Sequence, residues 1–450
     1  MAANKFFTIS LLKEKSTYAT LLLSFTLILC SGIATIAQTK KNKHQIIAIN
    51  AAEISTGTNS KAIINVTIIN GLGGEPLTEG CVLIKDGKIQ EVGKMSDVSI
   101  PAAAEITDAS GMYLLPGFID SHFHLDRTKG LPAKFLQHGV TSIRDPGAWI
   151  ESYDEERKSG KKIPRLFLTG PHFDMPPPAY PYDAYIVRDN YEAIQQVNAL
   201  ADQGATALKI YFRVPPGMIQ AICSTAHQRG IPVTAHLEIT EAMIAIEAGL
   251  DGVEHITSFG LSLLPKREGE KYRQGMLADN NFRKPGRYNM WKDININSAA
   301  ADSLSRYLVR KGTFVSPTLG PFEYQASNGP VDSAKLSGFN NMKAMTAKFN
   351  KAGVRLVLGS HSMIPYAEEG WAYQREMELW VESGIPNTRV IMGATIENAR
   401  YFRIDDRLGS IEKGKIADIV LIKGNPLVDI KAMRDIEKVM LNGVWVASGE

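Results

Sequence analysis

The chain has 450 residues, of which 44% are apolar and 22% charged, and its formal net charge is +3. That length suits a barrel-sized domain with a minor companion, and the composition excludes a disordered, fibrous or polytopic membrane protein. Lys5, Lys13 and Lys15 against Glu14 place +2 of the charge within residues 1–37, leaving +1 for the remainder, so nucleic-acid binding has no electrostatic basis.

The N-terminus reads as a secretory leader. Three lysines precede an uncharged apolar run at 19–37, and Thr35-Ile36-Ala37 offers small residues at the −3 and −1 positions of a cleavage site. The expectation is a signal peptide over 1–37 and an exported, periplasmic or extracellular protein. The rivals are a retained membrane anchor and lipidation at Cys30, which bulky Leu29 disfavours. Cys81 and Cys223 are too few and too far apart for a disulfide framework, and read as small buried apolar residues.

Residues 38–61 are polar and aperiodic, and read as a linker. Short strands follow over 62–115. A two-residue Asp86-Gly87 turn between alternating segments signals a hairpin, because both turn positions need positive φ. The rhythm then changes. Eight apolar runs, each followed by a helical stretch, begin near residues 117, 141, 166, 207, 232, 252, 314 and 355. In one unit, Thr240 is expected to cap a helix over 241–248 that ends at Gly249. Eight such units predict an α/β protein: a (β/α)₈ TIM barrel over 116–402, with its chemistry at the C-terminal strand ends. An insertion over 259–300, rich in Lys, Arg and Asn, reads as a lid or substrate-selecting loop. Strands return over 403–450, with a turn at Asn442-Gly443, and should complete a small β-sandwich with 62–115. No repeat of solenoid length and no low-complexity tract is present.

His122 and His124 sit two apart, so at a strand's end they face the same side and can share a metal. By itself a His-x-His pair is common by chance. Lys209 ends the fourth run, where it is either a solvated lysine or, once its amine has reacted with carbon dioxide, a carbamate able to bridge two cations. His236 and His255 end the fifth and sixth runs. Each taken singly reads as a core histidine. Together, with only nine histidines in the chain, the placement of five residues at barrel strand ends points to a metal centre.

These residues lie in longer motifs: Pro116-Gly117-Phe118-Ile119-Asp120-Ser121-His122-Phe123-His124, Gly139-Val140-Thr141-Ser142-Ile143-Arg144-Asp145, Ala207-Leu208-Lys209-Ile210, Val233-Thr234-Ala235-His236, Val253-Glu254-His255 and Gly414-Lys415-Ile416-Ala417-Asp418-Ile419-Val420. The chain resembles the amidohydrolase superfamily over roughly 62–450, in the branch of prolidase-like and imidazolonepropionase-like enzymes. The resemblance implies two divalent metal ions, zinc or else manganese or iron. His122 and His124 would hold one, His236 and His255 the other, and carbamylated Lys209 would bridge them. It also implies hydrolysis of an amide, cyclic amide or dipeptide by a metal-activated water. The partners expected are a small-molecule substrate and a further copy of the chain, with membrane contact only through an uncleaved leader.

Relatives carry an aspartate at the end of the eighth strand, which shuttles the proton. Here the run is Leu358-Gly359-Ser360-His361-Ser362, with His361 in its place. An imidazole can serve as both base and acid, so His361 is the candidate catalytic residue. The alternative is an exported binding protein that keeps the site and has lost turnover. Tyr211 follows the Lys209 strand and is a candidate for substrate binding, as are Arg144 and His172, each against a structural or surface reading. Asp145 is open between structural and functional roles.

Overall fold

A computed structural model describes residues 45–446 apart from 126, 127 and 368. The expected leader and Cys30 lie outside the described residues. From Lys61 the chain forms β1 (Lys61–Ile68), β2 (Leu77–Lys85), β3 (Lys88–Lys94), β4 (Glu105–Asp108) and β5 (Tyr113–Pro116). β2 and β3 make the expected hairpin, with Asp86 at φ 52° and Gly87 at φ 70°.

The rhythm of apolar runs then becomes parallel strands. β6 (Phe118–Asp120), β7 (Val140–Asp145) and β8 (Arg165–Leu168) form one sheet. β9 (His172–Asp174), β10 (Ala184–Ile186), β11 (Leu208–Ile210), β12 (Val233–His236), β13 (Gly252–Glu254), β14 (Phe314–Ser316) and β15 (Arg355–Leu356) form another, in the order β10-β9-β11-β12-β13-β14-β15. Nearly every residue in these strands is buried. Helices cover such parallel strands, which explains their uniform apolar runs. Backbone hydrogen bonds join the two sheets at both edges. Thr206 N donates to Leu168 O (2.9 Å), and Ser121 N donates to Leu358 O (3.1 Å).

Three expectations are corrected. Thr240 does not cap its helix: its hydroxyl donates to Val214 O, and the helix (Ala242–Glu247) follows Glu241 without a side-chain cap. Gly249 does end it, at φ 117°. The third apolar run is β8 alone, and two unforeseen short strands, β9 and β10, follow it and pair with each other. The insertion is helical rather than a loop, with helices at Gly260–Leu263, Lys266–Ala278 and Arg283–Lys292.

The chain ends with β16 (Ile419–Ile422), β17 (Ile436–Leu441) and β18 (Val444–Trp445). β16 pairs antiparallel with β5, so both ends of the chain share one eight-stranded sheet. One apolar cluster, including Ile63, Val82, Ile84, Ile419, Leu421 and Met440, spans both contributions. Cys81 and Cys223 are buried and free. Among the described residues no helix is long and apolar enough to cross a membrane.

Candidate metal centre

Just past β6 the chain presents His122 and His124 on one side and Phe123 on the other, where Phe123 packs against Phe135 with centroids 4.9 Å apart. The two histidine Nε2 atoms lie 3.1 Å apart. That is close to the separation of two imidazole nitrogens bound to one zinc ion at about 2.0–2.1 Å. Asp120 fixes this turn. Its carboxylate accepts from His122 N (3.0 Å), Ser360 N (2.9 Å) and Ser360 Oγ (2.6 Å), tying the end of β6 to the segment after β15. Burial pushes the Asp120 carboxyl up to about 6.

Lys209 on β11 is buried, and its Nζ contacts Glu254 Oε2. Burial, with the Arg144 guanidinium behind it, pushes the Lys209 amine well below its ordinary range. Glu254 Oε1 accepts from Thr234 Oγ1 (2.7 Å), and Glu254 Oε2 lies 3.0 Å from His122 Nδ1. Neighbours on a strand point to opposite faces. His255 escapes that alternation at φ 65°, so it and Glu254 reach the same interior. Thr318 Oγ1 donates to Pro317 O and meets His255 Nδ1 at 2.6 Å, which leaves the His255 Nε2 lone pair free. His236 lies beside it, ring centroids 4.3 Å apart. His236 Nε2 contacts Glu238 Oε1 at 3.2 Å, and its Nδ1 is left free.

His361 completes the group. Its backbone takes φ 62°, and its N donates to His122 O (2.6 Å). Its ring lies 5.0 Å from that of His122 and 4.8 Å from that of His124. Ligand atoms of His122, His124 and His361 lie within 4.8 Å of one another, as do those of His122, Glu254 and His255.

The chemistry of the donors fits a divalent cation. Burial holds these imidazoles down, His236 to about 4 and His361 to about 3, so their nitrogens carry lone pairs at neutral pH. Nδ1 of His122, His236 and His361 is buried without a hydrogen-bond partner; the Glu254 oxygen near His122 Nδ1 is not aligned to accept one. Orphaned buried nitrogens are costly, and a cation would satisfy them. All six residues line one cavity of about 210 Å³.

The amidohydrolase family model matches residues 113–446. The chain belongs to that family. An adenine deaminase of Listeria welshimeri is 40% identical over 85 residues, 18% of this chain and 14% of that protein. An adenine deaminase of Moorella thermoacetica is 24% identical over 424 residues, 90% of this chain and 60% of that protein. The chain therefore spans less than two thirds of either curated relative. A Xaa-Pro dipeptidase solved with methionine bound in its active site superposes with a TM-score of 0.67 at 21% identity, over 86% of this chain and 99% of that one.

In this amidohydrolase, Tyr211 and His172 also line the cavity. Arg144 does not, and its expected contact with substrate is corrected. Its guanidinium is buried, 4.2 Å over the Tyr401 ring and 4.3 Å over that of Phe402. Asp145 lines the cavity and also holds the loop after β7. It accepts from Leu125 N, Gly147 N, Ala148 N and Tyr153 Oη, and lies 3.7 Å from His124 Nδ1. Sequence reasoning missed Glu254, Glu238, Arg283 and Arg287. A carboxylate inside the apolar run Gly252-Val253-Glu254 was the one available signal for the first. The arginines lie in the insertion read as a lid or substrate-selecting loop, whose composition did not single them out.

Proposed function

We propose that this chain is an exported, metal-dependent hydrolase of a carbon–nitrogen bond in an amide, cyclic amide or dipeptide. The observation carrying the proposal is the convergence of His122, His124, His236, His255, His361 and Lys209 on one cavity, with Glu254 in contact with Lys209 and three imidazole nitrogens buried and unpartnered. Family membership supports it, as do relatives named for deamination and for dipeptide cleavage. The parallel strands are taken as a closed (β/α)₈ barrel over 116–402. The sheet from both chain ends is taken as a sandwich of 62–115 with 403–450, after a linker at 38–61 and a leader cleaved behind Ala37.

His122 and His124 would hold one divalent cation; His236 and His255 would hold the other. Bound cations would supply an activated water and polarise the scissile carbonyl. Lys209 is read as carbamylated. Its amine, kept neutral by burial, attacks carbon dioxide and releases one proton, for which the Glu254 oxygen against Nζ is the acceptor. Glu238 and Thr318 orient His236 and His255 through the nitrogen each does not offer to a cation. His361 is the residue that carries the proton from the attacking water to the leaving nitrogen, at an imidazole that burial keeps unprotonated beforehand.

The test is direct. The full chain is produced with a secretion pathway intact, in medium containing zinc, manganese or iron and bicarbonate. The mature N-terminus is sequenced, bound metal is counted, and N-acyl amino acids, dipeptides, cyclic amides and adenine are screened. Two metals per chain, an N-terminus at Gln38 and turnover of one of these classes are expected. Stoichiometric metal without any turnover identifies a binding protein instead. Protein without metal sinks the assignment of the centre, and an intact N-terminus in the membrane fraction sinks the cleaved leader.

A further inference from the structure

The helix Arg283–Lys292, from the middle of the insertion, forms one wall of the cavity. Arg283 and Arg287 are one turn apart and so share a face. Both are only 5% exposed. Arg283 Nη1 donates to Tyr211 Oη (2.6 Å), and its Nη2 donates to Tyr180 Oη. Arg287 Nη2 donates to Glu238 Oε1 (2.7 Å) and lies over the Phe322 ring. Arg283 Nε is 3.9 Å from Glu238 Oε2. The Nε atoms of both arginines are buried without a hydrogen-bond partner.

Two buried guanidinium groups thus face one buried carboxylate. The nearby charged groups at the rim, Lys284 and Asp183, are both exposed and opposite in sign. One positive charge in the wall is left uncompensated, and an unpaired buried charge is expensive unless a ligand supplies its partner. The guanidinium fork, with free donors, fits a planar carboxylate in two-point contact. Such a site also adjoins the metal centre, because Glu238 touches both Arg287 and His236 Nε2. The anion must therefore sit close to the scissile bond.

We propose that Arg283 and Arg287 form a carboxylate subsite, and that the substrate is an amide whose carboxylate lies next to the scissile bond, as in an N-acyl amino acid or a dipeptide. The substrate assignment rests on the hydrolase reading above; the anion subsite itself does not. A substrate carboxylate would neutralise the wall and orient the amide toward the histidines, while Tyr211 and Phe322 flank it.

The probes are N-acetyl-L-phenylalanine and its carboxamide, which differ only in that charge. Their binding to the metal-loaded full chain is measured by titration calorimetry, alongside any hydrolysis. The acid is expected to bind roughly tenfold or more tightly than the amide, the scale of a charge-assisted pair. Arg283→Gln and Arg287→Gln should each cut that preference at least severalfold. A thermal melt checks folding; if Arg287→Gln does not fold, Arg287→Lys is measured in its place and should also cut the preference, because an ammonium lacks the two-point fork. Equal affinity for the two probes, or no binding of either at millimolar concentration, overturns the proposal. So does a preference unchanged in folded Arg variants, which would place the carboxylate on the metals. Preference without turnover would sink the hydrolase reading alone, and equal turnover and binding of both probes would sink the subsite alone.

Discussion

Glu254 Oε2 lies 3.0 Å from His122 Nδ1 and in contact with Lys209 Nζ. One fully buried carboxylate therefore links His122, just past β6, to Lys209 on β11. Its other oxygen is held by Thr234, so it cannot swing away without losing that bond. Replacing Glu254 by Gln keeps the shape and removes the charge and the proton acceptor. Metal affinity is expected to fall roughly 10–100-fold, the usual cost of disturbing a group that orients ligands. Native mass spectrometry of the wild type is expected to show the added mass of one carbon dioxide on Lys209, and most of the variant should lack it. Unchanged metal affinity together with an unchanged adduct would show that Glu254 is only packed there.

His361 is the second lever. If it carries the proton, His361→Ala should lower kcat by about 10²-fold or more while KM changes little. His361→Asp should keep activity and bind metal more tightly, because a carboxylate adds negative charge beside the cations. Steady-state kinetics with parallel metal titrations separate the two effects. An alanine variant that turns over like the wild type removes His361 from the mechanism.

Much of this was legible in the sequence because burial writes a simple pattern. Parallel strands covered by helices read as short apolar runs, so eight of the ten were found from those runs, β9 and β10 being the exceptions, and Asp86-Gly87 announced its own turn. The two-residue spacing of His122 and His124 also carries its geometry directly. Other features depend on what a one-dimensional pattern lacks. Strand alternation predicts Glu254 and His255 on opposite faces, and only the positive φ of His255 brings them together. Arg287 meets Glu238 from 49 residues away, across an insertion whose polar composition resembles a solvated helix. Arg144 ends an apolar strand as a ligand-binding residue would, yet its guanidinium is stacked on Tyr401 and Phe402.

Close packing behind the centre gives a stability prediction. A Cβ on Gly359 would come 2.6 Å from His122 Cβ and 2.9 Å from Ser316 Oγ. Gly359→Ala must push His122 aside, and is expected to cost about 1–3 kcal/mol while weakening metal binding. Gly217→Ala is the matched control. It lies in the helix Pro216–Gln228 with nothing within 4 Å of the new methyl, so it should stabilise by up to about 1 kcal/mol. Denaturant melts of both variants decide this; a Gly359→Ala protein as stable and as metal-avid as the wild type would contradict it.

The last prediction concerns pH. Glu376, on the helix Ala372–Glu382, accepts from Leu319 N (2.8 Å), Gly320 N (2.8 Å) and Trp380 Nε1 (3.0 Å). It thereby holds the start of the helix Leu319–Ser327, which carries Phe322 into the cavity wall. Burial nonetheless pushes its carboxyl from 4.5 up to about 7, because desolvation outweighs the three donors. The folded chain therefore holds this proton more tightly than the unfolded one. Its contribution to stability is fully present below about pH 4.5, declines as pH rises, and is gone above about pH 7. The span is on the order of 3 kcal/mol. Glu376→Gln cannot titrate, so the difference in unfolding free energy between variant and wild type should change across pH 4.5–7 and level off on either side. Asp120 and Asp174, each raised to about 6, titrate in the same window but remain in both proteins and cancel in the difference. Parallel stability curves for the two proteins from pH 4 to 8 would mean that Glu376 does not titrate in this range.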